Sequence, residues 1–504
     1  MRRLFLCVLA AALAGCASPD SNRNPPDRSA VAPAVGSGEV LDAAASRHLL
    51  VRTGFGATAA DVRSLTGLTR AAAVDRLLAG ARTVASSPLP PGLDVFVAPR
   101  EAREGDEAQK REFLRRQAEL SIAARAWWFG EMLASPSPLT ERMTLFWHNH
   151  FVSSQEKVKS PVLMVRQNVL LRRHALGNFG TLLRAVARDP AMVIYLDSVQ
   201  NRKGAPNENF ARELMELFTL GEGHYTESDV KEAARAFTGW SLERDTGEFR
   251  FRPFAHDGGR KYVLGQGGNL DGDDVIAILL GRPETAEHVV RKLWREFVSP
   301  DPDPETVKRV AARFRNSGYD IRAAVRELLL CDAFWRDGNR GTLVKSPIDL
   351  VAGTLHTFDV QTGDLAPFVL LSASLGQNLF GPPNVKGWPG GDAWIDATTL
   401  LARKQFLARL FRGQDRLDAM NRRPGAVLGK GAGRLGPEGR QRLLNAIGDV
   451  RFDADRWLGA FGGESAQAVS QLVLALDPLL PSAPERGGLE RLRTLTQDPV
   501  YQLR

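Results

Sequence analysis

The 504-residue chain is long enough to bury a large core or to form two domains, and its 43% hydrophobic content excludes a disordered protein. Its formal charge of +8 is the difference between 66 basic and 58 acidic residues. Because so many charges compensate one another, this excess does not indicate a nucleic-acid partner.

The first sixteen residues have the pattern of a secretion signal with a lipid-attachment site. Arg2 and Arg3 supply positive charge, residues 4–13 are apolar but too few to cross a bilayer, and residues 13–16, Leu-Ala-Gly-Cys, have the form of a lipobox. The segment resembles a bacterial lipoprotein signal peptide, which implies cleavage before Cys16 and acylation of its thiol by fatty acids such as palmitate. The alternative is an ordinary secretory signal with a cysteine there by chance.

This resemblance predicts a location outside the cytoplasm. Ala17 stands where an acidic residue would retain a lipoprotein in the inner membrane. We therefore expect a lipid-anchored protein of the cell envelope, on the periplasmic face of the outer membrane, whose acyl chains are its membrane contact. Cys331 is the one other cysteine of the mature chain, so no intramolecular disulfide is expected.

Composition and periodicity divide the chain into four segments. Residues 1–15 are the predicted signal peptide. Residues 16–40 are rich in Ser, Pro, Asn, Ala and Gly without an apolar period, which predicts a lipidated disordered tether. Helical periodicity predicts a core domain over 41–415 and a C-terminal helical extension, packed on that core, over 416–504.

The predicted fold class is mainly α, a multi-helix globular body with one small β-hairpin near 249–264. Residues 249–252 alternate Phe and Arg, and 262–264 is the expected partner strand. The hairpin would present His256 and Asp257 at its tip, although a turn chosen for its geometry explains these two residues equally well.

A polar loop at 200–209 leads into an amphipathic segment, and it is the stretch where we expect chemistry. Proline and glycine near the two ends predict a helix from about 208 to 220. On a helical wheel, Glu208 and Arg212 pair at i,i+4. Beside the apolar stripe runs a strip made of Asn209, Glu213 and Glu216. A solvated acidic face above a core stripe is the alternative.

The helix predicted to start at Pro138 carries two histidines near its end. His150 falls in the middle of the apolar stripe, and His148 lies well away from it. A His-x-His pair converges on a metal only in an extended chain, so we predict no metal site from this pair. His150 is then either a histidine satisfied within the core or a catalytic base.

Residues 381–391, Gly-Pro-Pro-Asn-Val-Lys-Gly-Trp-Pro-Gly-Gly, exclude a continuous helix or strand. A rigid loop that presents Asn384, Lys386 and Trp388 suits a ligand with apolar faces and hydroxyl groups, as sugar rings have. A tryptophan that fills the core on a structural turn is the alternative.

Six stretches form a set that spans most of the chain. They are Phe-Gly-Ala-Thr at 55–58, Leu-Phe-Trp-His-Asn-His-Phe at 145–151, the run 201–217, Ala-Ala-Arg-Ala-Phe-Thr-Gly-Trp at 233–240, Pro-Pro-Asn-Val-Lys-Gly-Trp-Pro-Gly at 382–390, and Tyr-Gln-Leu-Arg at 501–504. Over roughly residues 45–504 the set resembles the large bacterial domain-of-unknown-function family 1800. The resemblance implies a helical, exported protein of unassigned activity, often encoded beside a secreted sulfatase-like partner. It carries no established catalytic residues.

The expected function is that of a lipid-anchored envelope enzyme, a hydrolase acting on an envelope glycan or another surface polymer. Glu208, Glu213 or Glu216 would supply the acid and the base, assisted by His150. The residues expected to bind the substrate are Asn201, Arg202, Lys203, Asn207, Asn209, Trp240, His256, Asp257, Asn384, Lys386 and Trp388.

Two other functions are compatible with the sequence. The first is a non-catalytic envelope scaffold or carrier that presents the sulfatase-like partner, which helices and polar loops would do without chemistry. The second is a metal site built from Glu213, Glu216 and a histidine such as His150 or His224. No cofactor is expected, and the expected partners are the membrane lipid, an envelope polysaccharide and the sulfatase-like protein.

Overall fold

The computed structural model describes residues 36, 38–98, 105–411, 450–461, 465–480 and 488–504, and in these the predicted mainly α class is confirmed. The signal peptide, Cys16 and most of the predicted tether lie outside the described residues. The same is true of the predicted boundary at 415/416, which stays a prediction. Within the described ranges, no helix is both long and apolar enough to cross a lipid bilayer.

Twenty-two α-helices fall in the described residues, and most begin at a Ser, Thr, Asp or Asn whose side chain caps the first turn. They are α1 Ala43–Thr53, α2 Ala59–Leu65, α3 Arg70–Ala79, α4 Glu107–Ala134, α5 Pro138–His150, α6 Gln155–Val158, α7 Pro161–His174, α8 Phe179–Ala187, α9 Pro190–Tyr195, α10 Asn209–Glu213, α11 Glu227–Ala236, α12 Gly272–Gly281, α13 Pro283–Phe297, α14 Pro304–Asn316, α15 Ile321–Leu330, α16 Asp332–Trp335, α17 Pro347–Thr357, α18 Ala366–Ser374, α19 Ala397–Leu410, α20 Ala454–Gly459, α21 Ala466–Val473 and α22 Gly488–Gln497.

The predicted single hairpin is wrong in its pairing, because the structure has two hairpins. β1 (Trp240–Leu242) pairs antiparallel with β2 (Phe249–Phe251), and β3 (Lys261–Val263) pairs antiparallel with β4 (Gln266–Gly268). Pro253 opens a short 3₁₀ turn just after β2. Because of this turn, β2 cannot continue toward β3. His256 and Asp257 therefore lie between the two hairpins and not at a tip.

The second hairpin was missed because its turn lacks the usual sequence. Leu264 and Gly265 form a two-residue connection, and both have positive φ, of 50° and 84°. This is the pattern of a type I′ turn, in which Asn-Gly or Asp-Gly is the expected pair. A leucine in the first position gives no such signal.

The helix predicted at 208–220 is present, but its second half is wound differently. α10 continues directly into a π-helical turn, Leu214–Thr219, in which the hydrogen bonds span five residues. The turn ends at Gly221, whose φ is +83° and whose added Cβ would lie 3.0 Å from His288 Nδ1. A glycine is therefore required both to end the helix and to leave room for that ring.

α5 is almost fully enclosed, with every residue buried except Pro138 and Asn149. It packs against α4, α7 and α1. His150 is buried in the apolar side of the helix as expected, and His148, which lies away from that side, is buried as well. Its ring is buried against Trp128 and Phe380, with centroids 5.3 and 5.8 Å away, because α5 has no solvent face at all.

Two neighbouring charges of α5 are buried and are compensated by different partners. On one side, Arg172 of α7 binds Glu141 in a bidentate pair, with Nε–Oε1 and Nη2–Oε2 distances of 2.7 and 2.8 Å. Both side chains are only 1% exposed. The Arg172 guanidinium also lies 5.0 Å from the centre of the Trp127 ring. The Arg142 side chain points into the candidate site described below.

The described parts of 450–504 lie on the helical body. α22 packs against α19 and α20, and α21 packs against α1. Arg47 of α1 donates to the carbonyl oxygens of Leu472 and Val473 at 2.6 and 3.3 Å. A cation therefore caps the C-terminal end of α21, where the helix dipole is negative.

Replacing Glu141 by Gln should strongly destabilise the fold, because it leaves the Arg172 charge buried without a carboxylate. Breaking a buried ion pair from one side costs about 3–5 kcal/mol, and we expect a loss of that size in a chemical denaturation curve. Glu112→Gln is the matched control. It removes an exposed pair with Arg115 on α4 and should leave the midpoint nearly unchanged. Equal midpoints for the two variants would contradict the assignment.

Candidate active site

A cleft of about 570 Å³ opens where the C-terminal halves of α5 and α13 meet the loop that follows Gly381. The other walls come from residues 342–349 and from Arg504. Its charged lining consists of five cationic and three anionic side chains, an excess of two positive charges. The cations are Arg142, Lys292, Arg295, Lys386 and Arg504, and the anions are Glu296, Asp349 and Asp392.

One wall of the cleft is aromatic and is fixed to the end of α5. Phe146, Trp388 and Trp394 line it, and the two tryptophans are 5% and 7% exposed. Asn149 Oδ1 accepts a hydrogen bond from the Trp388 N–H at 2.7 Å. Gly387 has a φ of +83°, and a Cβ there would lie 2.3 Å from Asn149 Oδ1. The loop can thus approach α5 only with glycine at this position.

A lysine amine is held in the cleft by two acceptors. Lys292 Nζ lies 3.1 Å from His150 Nδ1 and 3.0 Å from the Leu217 carbonyl oxygen. Because an ammonium only donates, His150 accepts through Nδ1, and its Nε2–H donates to the Phe218 carbonyl at 3.2 Å. When Lys292 is neutral, its two N–H groups satisfy the same acceptors, and its lone pair takes the remaining direction.

The backbone acceptors of this cluster come from the π-helical turn. The Leu217 carbonyl also accepts from His288 Nε2 at 3.0 Å. Carbonyl groups near the C-terminal end of a helix carry partial negative charge, which favours a cation beside them. The π turn therefore supplies the acceptors that fix Lys292 and both imidazoles.

Burial and neighbouring charge shift the pKa of each group in this cluster downward. Burial, followed by the charge of Arg295, lowers the pKa of Lys292 to about 8. Burial, and then the charge of Lys292, holds the pKa of His150 well below its ordinary value. The same two causes lower the pKa of His288 to about 4. Near neutral pH the cluster therefore has two uncharged imidazoles and an amine close to its titration point.

The floor of the cleft is a buried ion network. Arg142 Nη2 donates to Asp349 Oδ1 at 2.5 Å, and its Nη1 lies 3.4 Å from Glu296 Oε1. Arg504 Nη2 donates to the same Glu296 oxygen at 2.9 Å, and its Nε lies 3.4 Å from Asp349 Oδ2. Arg142 also donates to the Gly54 carbonyl. Both carboxylates are therefore already engaged by arginines.

Burial raises the pKa of Asp349, but the charges of Arg142 and Arg504 outweigh it and hold that pKa well below its ordinary value. Asp349 consequently stays ionised and is a poor proton donor. Four buried N–H groups on residues that line the cleft have no hydrogen-bond partner within the described part of the chain. They are Arg142 Nε, Arg504 Nε, Arg504 Nη1 and Trp388 Nε1. An anionic or oxygen-rich ligand that reached them would supply the missing acceptors.

The carboxylates expected to act as acid and base do not line this cleft. Glu208 pairs with Arg212 at 3.1 Å, as the i,i+4 spacing predicted, and Arg212 also binds Glu227. Glu216 accepts a hydrogen bond from the Tyr225 hydroxyl at 2.7 Å. Burial, followed by the Glu216 charge, raises the pKa of Glu213, while Arg212 and Lys386 oppose the rise.

The polar loop before α10 is held by its own amides. Asn201 is buried, donates through Nδ2 to the Ala234 carbonyl at 2.9 Å and accepts from the Asn207 N–H at 2.9 Å. Asn207 Oδ1 in turn accepts from the Asn209 N–H at 3.0 Å. Arg202 and Lys203 are exposed. No residue of the loop lines the cleft.

The remaining expected binding residues are divided between structural contacts and the cleft. Trp240 is 5% exposed between Phe237 and Phe249, so its faces are already covered. His256 Nδ1 lies 2.9 Å from the Thr238 carbonyl, and Asp257 pairs with Arg235 at 2.8 Å.

The 381–391 loop contributes in two different ways. Asn384 shapes it, since its Oδ1 accepts from the Lys386 N–H at 2.9 Å. The Lys386 side chain is 67% exposed and reaches the cleft, where Trp388 also lies. His150, Lys386 and Trp388 are thus the expected residues that the structure brings together.

Sequence reasoning missed Arg142, Lys292, Glu296, Asp349 and Arg504. Lys292 and Glu296 stand at i,i+4 on an amphipathic helix, a spacing that also describes ordinary surface pairs. Arg142 gave a stronger signal, because a charge among the apolar residues of 139–147 is costly unless it is paired. In the described ranges, no group of three or more His, Cys, Asp or Glu side chains is arranged to hold a metal ion.

Comparison with other proteins places the chain in a family without assigning it an activity. No curated protein and no solved structure matches it significantly. A protein-family model matches residues 48–502, which is nearly all of the described chain and includes the helices that form the cleft. The chain belongs to the family described as "Protein of unknown function (DUF1800)".

Proposed function

We propose that the chain is a hydrolase of the cell envelope that acts on an anionic glycan or another anionic surface polymer within the cleft. One observation carries the proposal. A fixed lysine amine, Lys292, lines the same cleft as an aromatic wall and a pair of buried arginines that retain unused N–H groups. Such a combination offers a base, a stacking surface and donors to an oxygen anion in one enclosed space.

Substrate binding would use the two contrasting walls. Trp388, Trp394 and Phe146 line the cleft but are 5%, 7% and 9% exposed, so a sugar ring would contact only the small apolar areas that they leave open to it. Lys386 and Arg295 add positive charge to the same lining. An excess of positive charge in a cleft raises the local concentration of anionic substrates. An uncharged polymer would gain nothing from this excess.

The chemistry that these groups support best is attack of water on an acyl carbon, such as an ester of the polymer. Neutral Lys292 would take a proton from water as the oxygen attacks the carbonyl. The oxyanion that forms would accept hydrogen bonds from Arg504 Nη1 and Arg142 Nε. The Lys292 ammonium would then return its proton to the leaving alkoxide as the carbon–oxygen bond breaks.

Cleavage by two carboxylates has less support in this cleft. A glycosidase of that kind needs one protonated and one ionised carboxyl group facing the sugar. Asp349 and Glu296 are both bound by arginines. Glu208, Glu213 and Glu216 lie outside the cleft lining.

The same ion pairing is the observation that favours the alternative, a non-catalytic scaffold or carrier for a sulfatase-like secreted partner. A site whose carboxylates are neutralised has no carboxylate acid or base, and without a base such as Lys292 it would bind a ligand but not turn it over. Saturable binding of an acidic oligosaccharide with no release of acid or reducing ends, together with a stoichiometric partner that is lost when 381–391 is deleted, would support this alternative.

Lys292→Met should abolish most ester hydrolysis while leaving binding intact. Loss of a general base costs about 10²–10⁴-fold in rate. The readouts are release of p-nitrophenol from p-nitrophenyl acetate, release of acetate from acetylated alginate, and calorimetric binding of alginate oligomers. Lys308→Met, an exposed lysine on α14, is the matched control and should behave like the wild type. Turnover that survives Lys292→Met would exclude this residue as the base.

The pH dependence should identify the titrating group. Lys292 acts only as the neutral amine, so the rate should rise as pH increases through about 8. Arg295→Gln removes a charge that lowers the pKa of Lys292, so the midpoint of the profile should move to higher pH. Arg291→Gln removes a similar charge one turn earlier on α13 and should leave the midpoint in place. An Arg295→Gln profile with the same midpoint as the wild-type profile would contradict the assignment.

The membrane anchor proposed at Cys16 predicts a loss of lipid label on Cys16→Ser. Wild-type protein expressed with radiolabelled palmitate should carry the label and should fractionate with outer membranes, because several acyl chains anchor a protein stably. The serine variant should carry no label. Cys331→Ser is the control, since that thiol is buried, and it should keep the label. Label retained by Cys16→Ser would disprove the anchor.

A further inference from the structure

The loop that precedes α10 forms an exposed patch with the end of β2 and the 3₁₀ turn that follows it. We call Arg202, Lys203, Phe251 and Phe254 the loop patch. Phe254 is 82% exposed and Phe251 is 44% exposed. Both cations are exposed. The Lys203 N–H donates to the Ala255 carbonyl at 2.8 Å, which places the two cations directly beside the 3₁₀ turn that carries Phe254.

The backbone beneath the loop patch is held rigidly. Asn201 is buried, and its carbonyl accepts from the Gly239 N–H at 3.1 Å in addition to the side-chain bonds described above. Within the loop, the Ala205 N–H donates to the Arg202 carbonyl at 2.9 Å. The patch therefore presents its side chains from a fixed support, although none of them contributes to the core or to the cleft lining.

The charged residues in the two stretches that form the loop patch are all basic. Residues 200–206 and 249–256 contain four basic residues and no acidic residue. Two of the four are already engaged, since Arg250 pairs with Glu243 and Arg252 donates to the Leu242 carbonyl at 3.2 Å. For the Arg202 and Lys203 side chains, the described ranges offer no ion-pair partner. Acids stand directly beside the second stretch at both ends: Asp257 is bound by Arg235, and Glu248 is exposed.

We propose that the loop patch binds the surface of a bilayer that contains anionic phospholipid. Phenylalanine rings enter the boundary between headgroups and acyl chains, while the long Arg and Lys side chains reach the lipid phosphates. A soluble polyanion would account for the cations alone. It would not account for a phenylalanine that is 82% exposed on a rigid support beside them. The inference is independent of the cleft chemistry and of the acyl anchor.

Vesicle sedimentation tests the proposal with the unacylated chain that begins at Ala17, which retains every described residue. This chain should bind vesicles of phosphatidylcholine mixed with phosphatidylglycerol and should bind vesicles of pure phosphatidylcholine much less. Arg202→Gln and Lys203→Gln should each lower the partition coefficient about fivefold. Phe254→Ser should lower it by at least about tenfold, because an aromatic side chain no longer leaves water.

Matched controls separate this patch from general surface effects. Leu114 is 65% exposed on α4, and Arg111 of the same helix is also exposed. Leu114→Ser and Arg111→Gln should both bind like the unsubstituted chain. All of these positions are on the surface, so circular dichroism should show the same fold in every variant.

Insertion of the ring is measured by Phe254→Trp. The fluorescence of this variant should gain a component at shorter wavelength on mixed vesicles, and brominated lipid should quench that component. The absence of binding to anionic vesicles would overturn the proposal. Equal binding of Phe254→Ser and the unsubstituted chain to these vesicles would overturn it too. Equal binding to soluble dextran sulfate that depends on the two cations but not on Phe254 would identify a polyanion contact and would also overturn it.

Discussion

The structure around the cleft depends on the burial of two opposite charges at neighbouring positions of α5. Glu141 and Arg142 point in different directions from the helix, and each must find a partner away from water. Glu141 forms an ion pair with Arg172 of α7, and this pair links two core helices. Arg142 forms ion pairs with Glu296 of α13 and Asp349 of α17, and these pairs hold both helices at the cleft.

Local patterns were sufficient to predict most helices, because caps and apolar periods act within a few residues of the chain. The same patterns could not give the hairpin partners, which depend on a turn with an unexpected leucine, Leu264. They also could not show that His148 is buried, because a helical wheel describes one helix and not its contacts with other segments. In α5 every residue except Pro138 and Asn149 is buried.

The residues of the candidate site also fall into those that local sequence predicts and those that depend on contacts between distant segments. His150, Lys386 and Trp388 were predicted from local sequence and do reach the cleft. Lys292 and Arg504 were not predicted, because their role depends on contacts between segments far apart in the chain. Glu208, Glu213 and Glu216 were predicted from the pattern of one segment, yet none of them lines the cleft, and Glu216 belongs to the π-helical turn itself. That turn contributes backbone carbonyls to the cleft cluster, and a side-chain wheel has no means of representing them.

The contact between Gly387 and Asn149 has a consequence for redesign of the cleft. A Cβ at position 387 would overlap Asn149 Oδ1, the atom that holds the Trp388 backbone. Substitutions at Gly387 and Asn149 should therefore affect each other, because both positions set the place of the Trp388 backbone. Libraries that aim at new ligand specificity should vary residue 388 and keep Gly387 and Asn149. The two retained residues fix the backbone at 388, and the side chain at 388 contacts the ligand.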